Sequence, residues 1–251
     1  ALSSAASDVY KRQLLIEKME KSGRKVRITG KGRCNVTNAR PAEEFASQVR
    51  TNAEFFAPAI AEFNNRAAIR FFERAGVKLE IERGERVFPK SGKAWDIANA
   101  LLEYCVENGV KICYDTQVTE IMTLGQRVFG VKYINRRGFE RKEECDRIIL
   151  ATGGVSYPST GSTGDGYALA AALGHTVLPP RPSLVPLLTR EDWPCTLQGL
   201  ALRNVRLSAR LGKKTRFDEL GEMLFTHFGI SGPLVLSMSC LLYTSDAADD
   251  K

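Results

Sequence analysis

A glycine-rich basic loop, residues 23–35, contains the residue types best suited to binding an anion. Its sequence is GRKVRITGKGRCN. Glycines let backbone N–H groups approach a phosphate closely, and lysine and arginine side chains neutralise its charge. The spacing differs from that of a P-loop, because Gly32 follows Lys31 where a serine or threonine would stand. The loop is therefore interpreted either as an anion-binding site or as a surface loop of ordinary basic composition.

A carboxylate, Glu17, follows the apolar run of residues 14–16, which is typical of a buried parallel strand. An acid at the end of the second strand of a dinucleotide-binding unit commonly accepts hydrogen bonds from ribose hydroxyls. The G-x-G-x-x-G turn that would stand about 20 residues earlier is absent from the sequence. Glu17 is thus either a ribose ligand or a solvated strand end.

A second apolar run, residues 147–151, is predicted to be a strand that leads directly into Thr152, Gly153 and Gly154. A strand ending in these residues would bring bare backbone to the carboxyl edge of a sheet, where α/β folds bind ligands. A simple tight turn is the alternative. Another glycine-rich loop, residues 158–166, precedes a predicted helix.

Only two histidines are available for acid–base chemistry. His227 is flanked by aromatic residues and is interpreted either as a buried, hydrogen-bonded residue or as a substrate-facing proton donor. His175 follows a helix-ending glycine and is predicted to be structural. Cys34 follows Arg33, which could lower the pKa of its thiol, although a lone cysteine is more often a packing residue.

Hydrophobic periodicity predicts the elements that position these residues. A helical stretch runs from about residue 54 to 74, with a break where Asn65 is predicted as N-cap, and a second helix covers residues 95–107. Residues 110–151 are predicted to be mainly strands, whereas residues 23–38 are predicted to be irregular. A proline-rich segment places a domain boundary near Arg181.

Composition restricts the class of protein. Hydrophobic residues at 43% and charged residues at 26% are typical of a soluble globular protein, and no apolar run approaches the ~20 residues of a membrane span. Six scattered cysteines without a CxxC pair argue against disulfides or a metal site and favour a cytoplasmic protein. The net charge of +7 suits nucleic acid, a phosphorylated cofactor, or simply a solvated basic surface.

The two ends differ from the rest of the chain. Residues 1–12 and 241–251 resemble translated sequencing-adapter read-through and are excluded from fold reasoning; frayed termini are the alternative. Without them the net charge is +8. The remaining chain is predicted to form a partial cofactor-binding domain, residues 13–181, and part of a β-rich domain, residues 182–240.

Five stretches, in order along the chain, resemble the signatures of the BaiN-like (YhiN-type) NAD(P)/FAD-dependent oxidoreductase family. They are residues 30–38, 82–89, 151–167, 182–187 and 221–233. The resemblance implies an α/β fold of the two-dinucleotide-binding FAD type, truncated here, with a β-rich inserted substrate domain. A glycine-rich turn before the first matched strand and a second FAD-contacting segment after the insertion belong to the family pattern and do not occur in this sequence.

The resemblance also implies the cofactor and its contacts. FAD would be bound, with NADH or NADPH as the reductant. Glu17 would hold the adenosine ribose, and Val118 would contact the adenine side through its backbone. The other cofactor-binding residues implied are Arg24, Lys25, Gly32 and Arg33 at the pyrophosphate, Cys34 and Asn35 toward the flavin, and Thr152, Gly153 and Gly154 packed against the cofactor.

The implied activity is hydride transfer between a reduced nicotinamide or flavin and a small organic substrate, either an activated C=C bond or an amine. Tyr157 and His227 are the candidate proton donors. Two alternatives stay open: flavin-dependent reduction of an RNA base, suggested by the basic charge, and a degenerate, non-catalytic nucleotide-binding protein. No membrane partner is expected, and the oligomeric state is left open.

Overall fold

The structure, a computed structural model, describes residues 12–47, 49 and 52–245. Residues 1–11 and 246–251, most of the two predicted artefact segments, lie outside the described residues. The chain divides after Val177 into two compact units. The predicted boundary near Arg181 lies in the same proline-containing segment. None of the helices within the described ranges is long and apolar enough to cross a membrane.

The first unit contains six helices and eight strands within the described residues. In chain order they are β1 (Leu14–Ile16), α1 (Arg24–Ile28), β2 (Thr37–Asn38), α2 (Ala42–Ser47), α3 (Ala53–Glu62), α4 (Asn65–Arg74), β3 (Leu79–Glu82), β4 (Arg86–Pro89), α5 (Ala94–Glu107), β5 (Lys111–Cys113), β6 (Gln117–Leu124), β7 (Arg127–Ile134), β8 (Glu140–Glu144) and α6 (Asp165–Ala172). Short 3-10 helices cover Thr29–Gly32 and Pro158–Thr160.

The strands of the first unit form three small sheets. β1 and β5 pair in parallel, with Leu14 opposite Lys111 and Ile16 opposite Cys113. β4 lies between β2 and β3, and β7 lies between β6 and β8; both of these sheets are antiparallel. The parallel pair is the Rossmann-like part, because its two strands end at the same edge.

Helix α5 supplies the main core of the first unit. Its apolar residues recur at helical spacing, so Ala94, Ile97 and Ala100 share one buried face. This face packs with Phe72 of α4 and with Cys34. The predicted helix over residues 95–107 is confirmed to within one residue.

The N-cap of α4 is one residue earlier than predicted. Asn64 has extended backbone and its side chain accepts a hydrogen bond from the Ala67 N–H. The prediction of Asn65 as N-cap was wrong. The buried Asn65 side chain instead donates to the carbonyl oxygens of Asn38 and Arg40, at 2.6 and 2.7 Å, which ties α4 to the segment after β2.

The irregular structure predicted for residues 23–38 was wrong for most of the segment and holds only at residues 23 and 33–36. Its glycines mark the limits of elements: Gly23, with φ 70°, precedes α1, and Gly30, with φ 56°, follows it. Between them, lysine and arginine are good helix formers, and Val26 packs against the core. The polar segment between these glycines is therefore a short helix that lies on the surface of the core.

The predicted strand at residues 147–151 was wrong as well, because these residues adopt no regular structure. Ile149 is 71% exposed. A strand requires a neighbour that exchanges ladder hydrogen bonds with it, and none of the described strands pairs with this segment. High β-propensity alone did not determine its conformation.

The second unit contains β9 (Leu187–Leu188), α7 (Trp193–Thr196), β10 (Ala201–Leu211), β11 (Lys214–Thr226), β12 (Gly229–Ser231) and α8 (Pro233–Ser245). The strand order is β10-β11-β12-β9, with every pair antiparallel. One face of this sheet packs on α8 through Phe217, Leu234, Val235 and Met238. The sheet lies in the segment predicted to be β-rich, and the 13-residue helix α8 supplies three of the four buried residues of its core.

The α5 face gives a stability prediction. Ile97, 2% exposed, fills the first unit's core, so Ile97→Ala should lower the free energy of unfolding by about 2–5 kcal/mol. Urea unfolding followed by Trp95 fluorescence in a Trp193→Phe background reports on this unit. Val106→Ala, on the exposed face of the same helix, is the control and should change stability by less than about 0.5 kcal/mol. Equal losses in both variants would contradict the assigned core face.

Candidate active site

Glu17 lies where the parallel strand pair ends. Its N–H donates to the Cys113 carbonyl at 2.8 Å, and its own carbonyl accepts from the Thr116 N–H at 3.0 Å. One carboxylate oxygen accepts from the Met19 N–H at 2.8 Å, which fixes the side chain in the turn after β1. The structure therefore places an oriented carboxylate at the sheet edge, as a ribose ligand requires.

Val118 lies next to this edge, at the start of β6. It is two residues beyond Thr116, whose N–H bonds Glu17, and it pairs with Tyr133 of β7. Its half-buried side chain packs against the cluster of Ile121, Val131 and Leu169. The structure thus brings together the two residues predicted for the adenosine half of the cofactor.

Lys25 connects α1 to the loop that follows residues 152–154. Its Nζ donates to the Ser156 carbonyl and to the buried Ser162 Oγ, both at 2.7 Å. A Cβ added to Gly153 would lie 2.9 Å from that Ser162 Oγ, and φ at Gly153 is 75°. Only glycine fits there, so the glycine pair packs tightly under the segment held by Lys25.

Thr152 and Gly154 pack against the start of α6. A Cβ on Gly166 would overlap Thr152 Oγ1, and a Cβ on Gly154 would lie 3.4 Å from the Tyr167 hydroxyl. Gly166 therefore permits the close approach of Thr152 to the helix, whereas a Cβ at Gly154 would only contact Tyr167. The sequence analysis placed residues 152–154 against a cofactor and did not predict their contact with α6.

Arg24 and Arg33 already have carboxylate partners. Arg24 Nη1 lies 2.5 Å from Glu20 Oε2. Arg33 bonds both oxygens of Glu82, at 2.6 and 3.3 Å, and its guanidinium lies 4.1 Å from the Phe88 ring centre. A phosphate would have to compete with these ion pairs. Gly32, exposed and with φ 84°, has open space at its backbone and could approach a ligand directly.

Cys34 is buried, with 6% exposure, and burial raises the pKa of its thiol. The suggestion that Arg33 lowers this pKa was wrong, because the Arg33 guanidinium is bound to Glu82 while Cys34 packs in the core. Cys34 is therefore a packing residue with a protonated thiol. The carboxamide of the exposed Asn35 lies against the carbonyl oxygens of Thr37 and Val87, which orients its nitrogen as the donor.

The two candidate proton donors lie in different units. Tyr157, in the first unit, is 66% exposed and follows Ser156, the residue whose carbonyl Lys25 binds. His227, in the second unit, is exposed in the turn between β11 and β12, with its ring 4.8 Å from that of Phe228. The interpretation of His227 as a buried residue was wrong, because the residue is exposed in this turn. His175 is exposed too.

Two features were missed by the sequence analysis. Lys18 Nζ binds Asp165 Oδ2 at 2.8 Å and also bonds Thr163 Oγ1, while Thr163 donates to Asp165 Oδ1 at 2.7 Å. The signal in the sequence that could have indicated this network was Asp165, an acid in the first turn of α6. Arg27 lies 3.5 Å over the Trp95 ring, and its Nε and Nη1 are buried without a hydrogen-bond partner among the described residues. Nothing in the sequence distinguished it from its basic neighbours.

Residues 2–232 match the family described as the HI0933-like protein Rossmann domain. The chain belongs to this family. This membership confirms the resemblance seen in the sequence and the predicted Rossmann-type α/β fold.

Three curated relatives of this HI0933-like chain share about a third of its residues. It is 31% identical over 239 residues to the 3-dehydro-bile acid delta(4,6)-reductase of Clostridium scindens, covering 95% of this chain and 56% of that protein. It is 33% identical over 224 residues to the ribosomal RNA dihydrouridine synthase of Haemophilus influenzae (88% and 53%). The Escherichia coli protein of that name is 30% identical over 237 residues (94% and 56%). The chain thus spans about half the length of these relatives.

Two solved structures show weaker similarity. One is the 3-ketosteroid-delta4-(5alpha)-dehydrogenase from Rhodococcus jostii RHA1, with a TM-score of 0.49 and 14% identity over 76% of this chain and 54% of that chain. The other is a flavocytochrome c3 fumarate reductase, with a TM-score of 0.44 and 14% identity over 80% and 48%.

The two hydrogen bonds from Lys25 to the loop give a prediction about the loop's dynamics. Lys25→Met should leave Ser162 Oγ without its donor and accelerate amide hydrogen exchange in residues 153–162 about tenfold, equivalent to about 1.4 kcal/mol. Hydrogen exchange followed by mass spectrometry measures it. Lys21→Met, at an exposed lysine 3.8 Å from Glu20, is the control and should leave this loop unchanged. Unaltered exchange in Lys25→Met would refute the link.

The Asp165 network gives a pH prediction. Hydrogen bonds from Lys18 and then Thr163 hold the pKa of Asp165 below its ordinary value. A lowered folded-state pKa stabilises the fold above the unfolded value of about 3.9, and this stabilisation disappears as pH falls through the folded-state value. The stability difference between wild type and Asp165→Asn, from urea unfolding, should therefore be constant near neutral pH and shrink below about pH 4. Asp146→Asn, at an exposed acid, should show no such trend.

Proposed function

We propose that this protein binds FAD and reduces an activated carbon–carbon double bond of an organic substrate, with NADH or NADPH as the electron source. The observation that carries the proposal is the convergence of Glu17 and Val118 at the carboxyl end of the parallel β1–β5 pair. Membership of the HI0933-like Rossmann family supports a dinucleotide at this edge.

The names of the relatives favour a double bond over an amine. A delta(4,6)-reductase and a dihydrouridine synthase, as named, both add hydrogen across a carbon–carbon double bond, the first in a bile acid and the second in the uridine ring. One reaction type therefore unites two otherwise different substrates. The proposal extends this shared reaction type to the present chain.

The described residues fit the adenosine half of FAD better than its pyrophosphate. Glu17 presents an oriented carboxylate to ribose hydroxyls, and the start of β6 offers its backbone to the adenine. Gly32 can approach the phosphates through its open backbone. Arg24 and Arg33 would assist only by exchanging a glutamate for phosphate, because each is ion-paired. In the proposal Asn35 and the segment 152–154 lie toward the flavin ring.

When bound, FAD supplies the hydride acceptor and donor. Reduction of a double bond places a hydride on one carbon and a proton on the other, so the chain must supply an acid. We assign this role to the Tyr157 hydroxyl, since Tyr157 lies in the same unit as the cofactor residues and its loop is fixed by Lys25. His227, in the turn of the second unit, is the alternative donor.

A second candidate function is reduction of a base within RNA. It is favoured by two relatives named ribosomal RNA dihydrouridine synthase and by the basic β10–β11 hairpin of the second unit. This function would use the same flavin chemistry on a larger and more negatively charged substrate. A degenerate, non-catalytic nucleotide-binding protein would share the fold and lack flavin.

The test of the proposal is FAD binding through Glu17. Quenching of flavin fluorescence on titration with the purified protein should show saturable binding. Glu17→Gln should weaken it about tenfold, because a charged acceptor for the ribose hydroxyls is lost. The neutral side chain is nearly the same size, so packing of the turn after β1 should be preserved.

Glu103→Gln is the matched control, since Glu103 is an exposed acid on α5 in the same unit. It should bind FAD like the wild type. Absence of binding in the wild type, or equal affinity in all three proteins, would reject Glu17 as the ribose ligand. Where binding holds, anaerobic bleaching of the flavin by NADH or NADPH tests the reductant.

A further inference from the structure

The β10–β11 hairpin is the longest pair of strands within the described residues. It extends from Ala201 to Thr226 and turns at Gly212 and Lys213, where Leu211 pairs with Lys214. A strand rises about 3.3 Å per residue, so ten residues of β10 extend about 30 Å. Such a two-stranded ribbon presents a long, continuous surface.

The two faces of this ribbon differ in polarity. Val205, Leu207 and Ala209 alternate along β10 and pack toward the core with Phe217 and α8. The intervening residues of β10 are exposed, among them Arg206, Ser208 and Arg210. Because successive side chains point to opposite faces, the outer face of β10 is a polar, arginine-bearing row.

The hairpin is basic in β10, at its turn and at the start of β11, whereas the rest of β11 contains Asp218, Glu219 and Glu222. Residues 201–217 contain six basic side chains and no acidic one. They are Arg203, Arg206, Arg210, Lys213, Lys214 and Arg216. Six of the chain's 36 basic residues therefore lie within one turn and its flanking strands, which is a local excess rather than the general composition.

One acid on the outer face, Asp218, forms an ion pair with one of these basic residues. Asp218 accepts from Arg206 at 2.7 and 2.8 Å and from the Ser208 hydroxyl at 2.9 Å. These bonds lower the pKa of Asp218 to about 2, so the carboxylate stays ionised. Its ion pair is with Arg206, and the charge of Arg210 also acts on it. Arg203, Lys213 and Lys214 form no ion pair or side-chain hydrogen bond with any described residue.

The arrangement suits a linear polyanion rather than a small anion. The basic side chains lie in a row along a ribbon, and a nucleotide or a single phosphate would contact only a part of it. Two concave pockets lie in the first unit, and one of them is lined by both acids and bases, including Lys78, Lys90, Asp96 and Glu103.

We propose that the β10–β11 hairpin binds the phosphate backbone of an RNA strand and thereby holds an RNA substrate to the protein. The inference rests on the proposed function in its RNA-base form, and it adds the element that contacts the RNA. Contacts of this kind depend on phosphate charge and not on base identity. In this proposal the hairpin supplies affinity for RNA and not selectivity for a base.

The test compares two triple variants of the whole chain in binding to a fluorescent single-stranded RNA. Arg210→Gln, Lys213→Gln and Lys214→Gln together remove three of the six basic side chains of the hairpin. The matched control neutralises three exposed basic residues of the β7–β8 hairpin, Arg137→Gln, Arg141→Gln and Lys142→Gln. All six side chains are exposed, so both variants should fold.

The hairpin variant should bind at least tenfold more weakly at moderate salt, and its slope of log affinity against log salt should fall by about 2. The control should change either value much less. Equal losses in both variants would show a general attraction of the basic protein for RNA and overturn the proposal. Unchanged binding by the hairpin variant would also overturn it.

A third variant should change RNA affinity in the opposite direction, to tighter binding, which misfolding would not produce. Asp218→Asn removes the acid that neutralises Arg206 and should tighten RNA binding and steepen the salt slope. Weaker or unaltered binding in Asp218→Asn would contradict the role of the outer face. Flavin absorbance measured on the same samples separates the two proposals: RNA binding that depends on the hairpin in a colourless protein would support the hairpin and reject the flavin function.

Discussion

Parallel pairing between β1 and β5 determines where the candidate active site can form. The pairing aligns the carboxyl ends of two strands, and the backbone of Glu17 then bonds both Cys113 and Thr116. Because these are main-chain bonds, they fix the position of the carboxylate whatever the neighbouring side chains are. Lys18, the next residue, reaches Asp165, so the start of α6 is held to the same edge.

The parts of the fold that the sequence predicted well depend on local periodicity. Helix α5 and the strands β6 and β7 each carry their own apolar pattern, and burial follows that pattern directly. Glu17 was identified because its position after an apolar strand has a general meaning in dinucleotide-binding folds. Residue chemistry also indicated the loop 23–35 and residues 152–154, whereas the family resemblance supplied Val118 and the assignment of each residue to a part of the cofactor. These roles stay predictions.

The parts that failed depend on partners distant in sequence. Residues 147–151 have strand composition, but strand pairing is a property of two segments and not of one. The prediction for Asn65 was wrong because its amide donates hydrogen bonds to backbone carbonyls near β2, and residue spacing along α4 does not reveal this contact. Pairing of Arg33 with Glu82 was equally hidden, since the two residues lie on separate elements.

The unpaired segment 147–151 has a further consequence, for solubility. It is a run of β-branched and apolar residues with no proline and no charge after Arg147, and it is largely exposed. Such runs pair readily with identical runs on other molecules and begin aggregation. Asp146 and Arg147, directly before it, are charged residues of the kind that limit such association. The solubility of this protein should therefore depend on how well these two side chains shield three apolar neighbours.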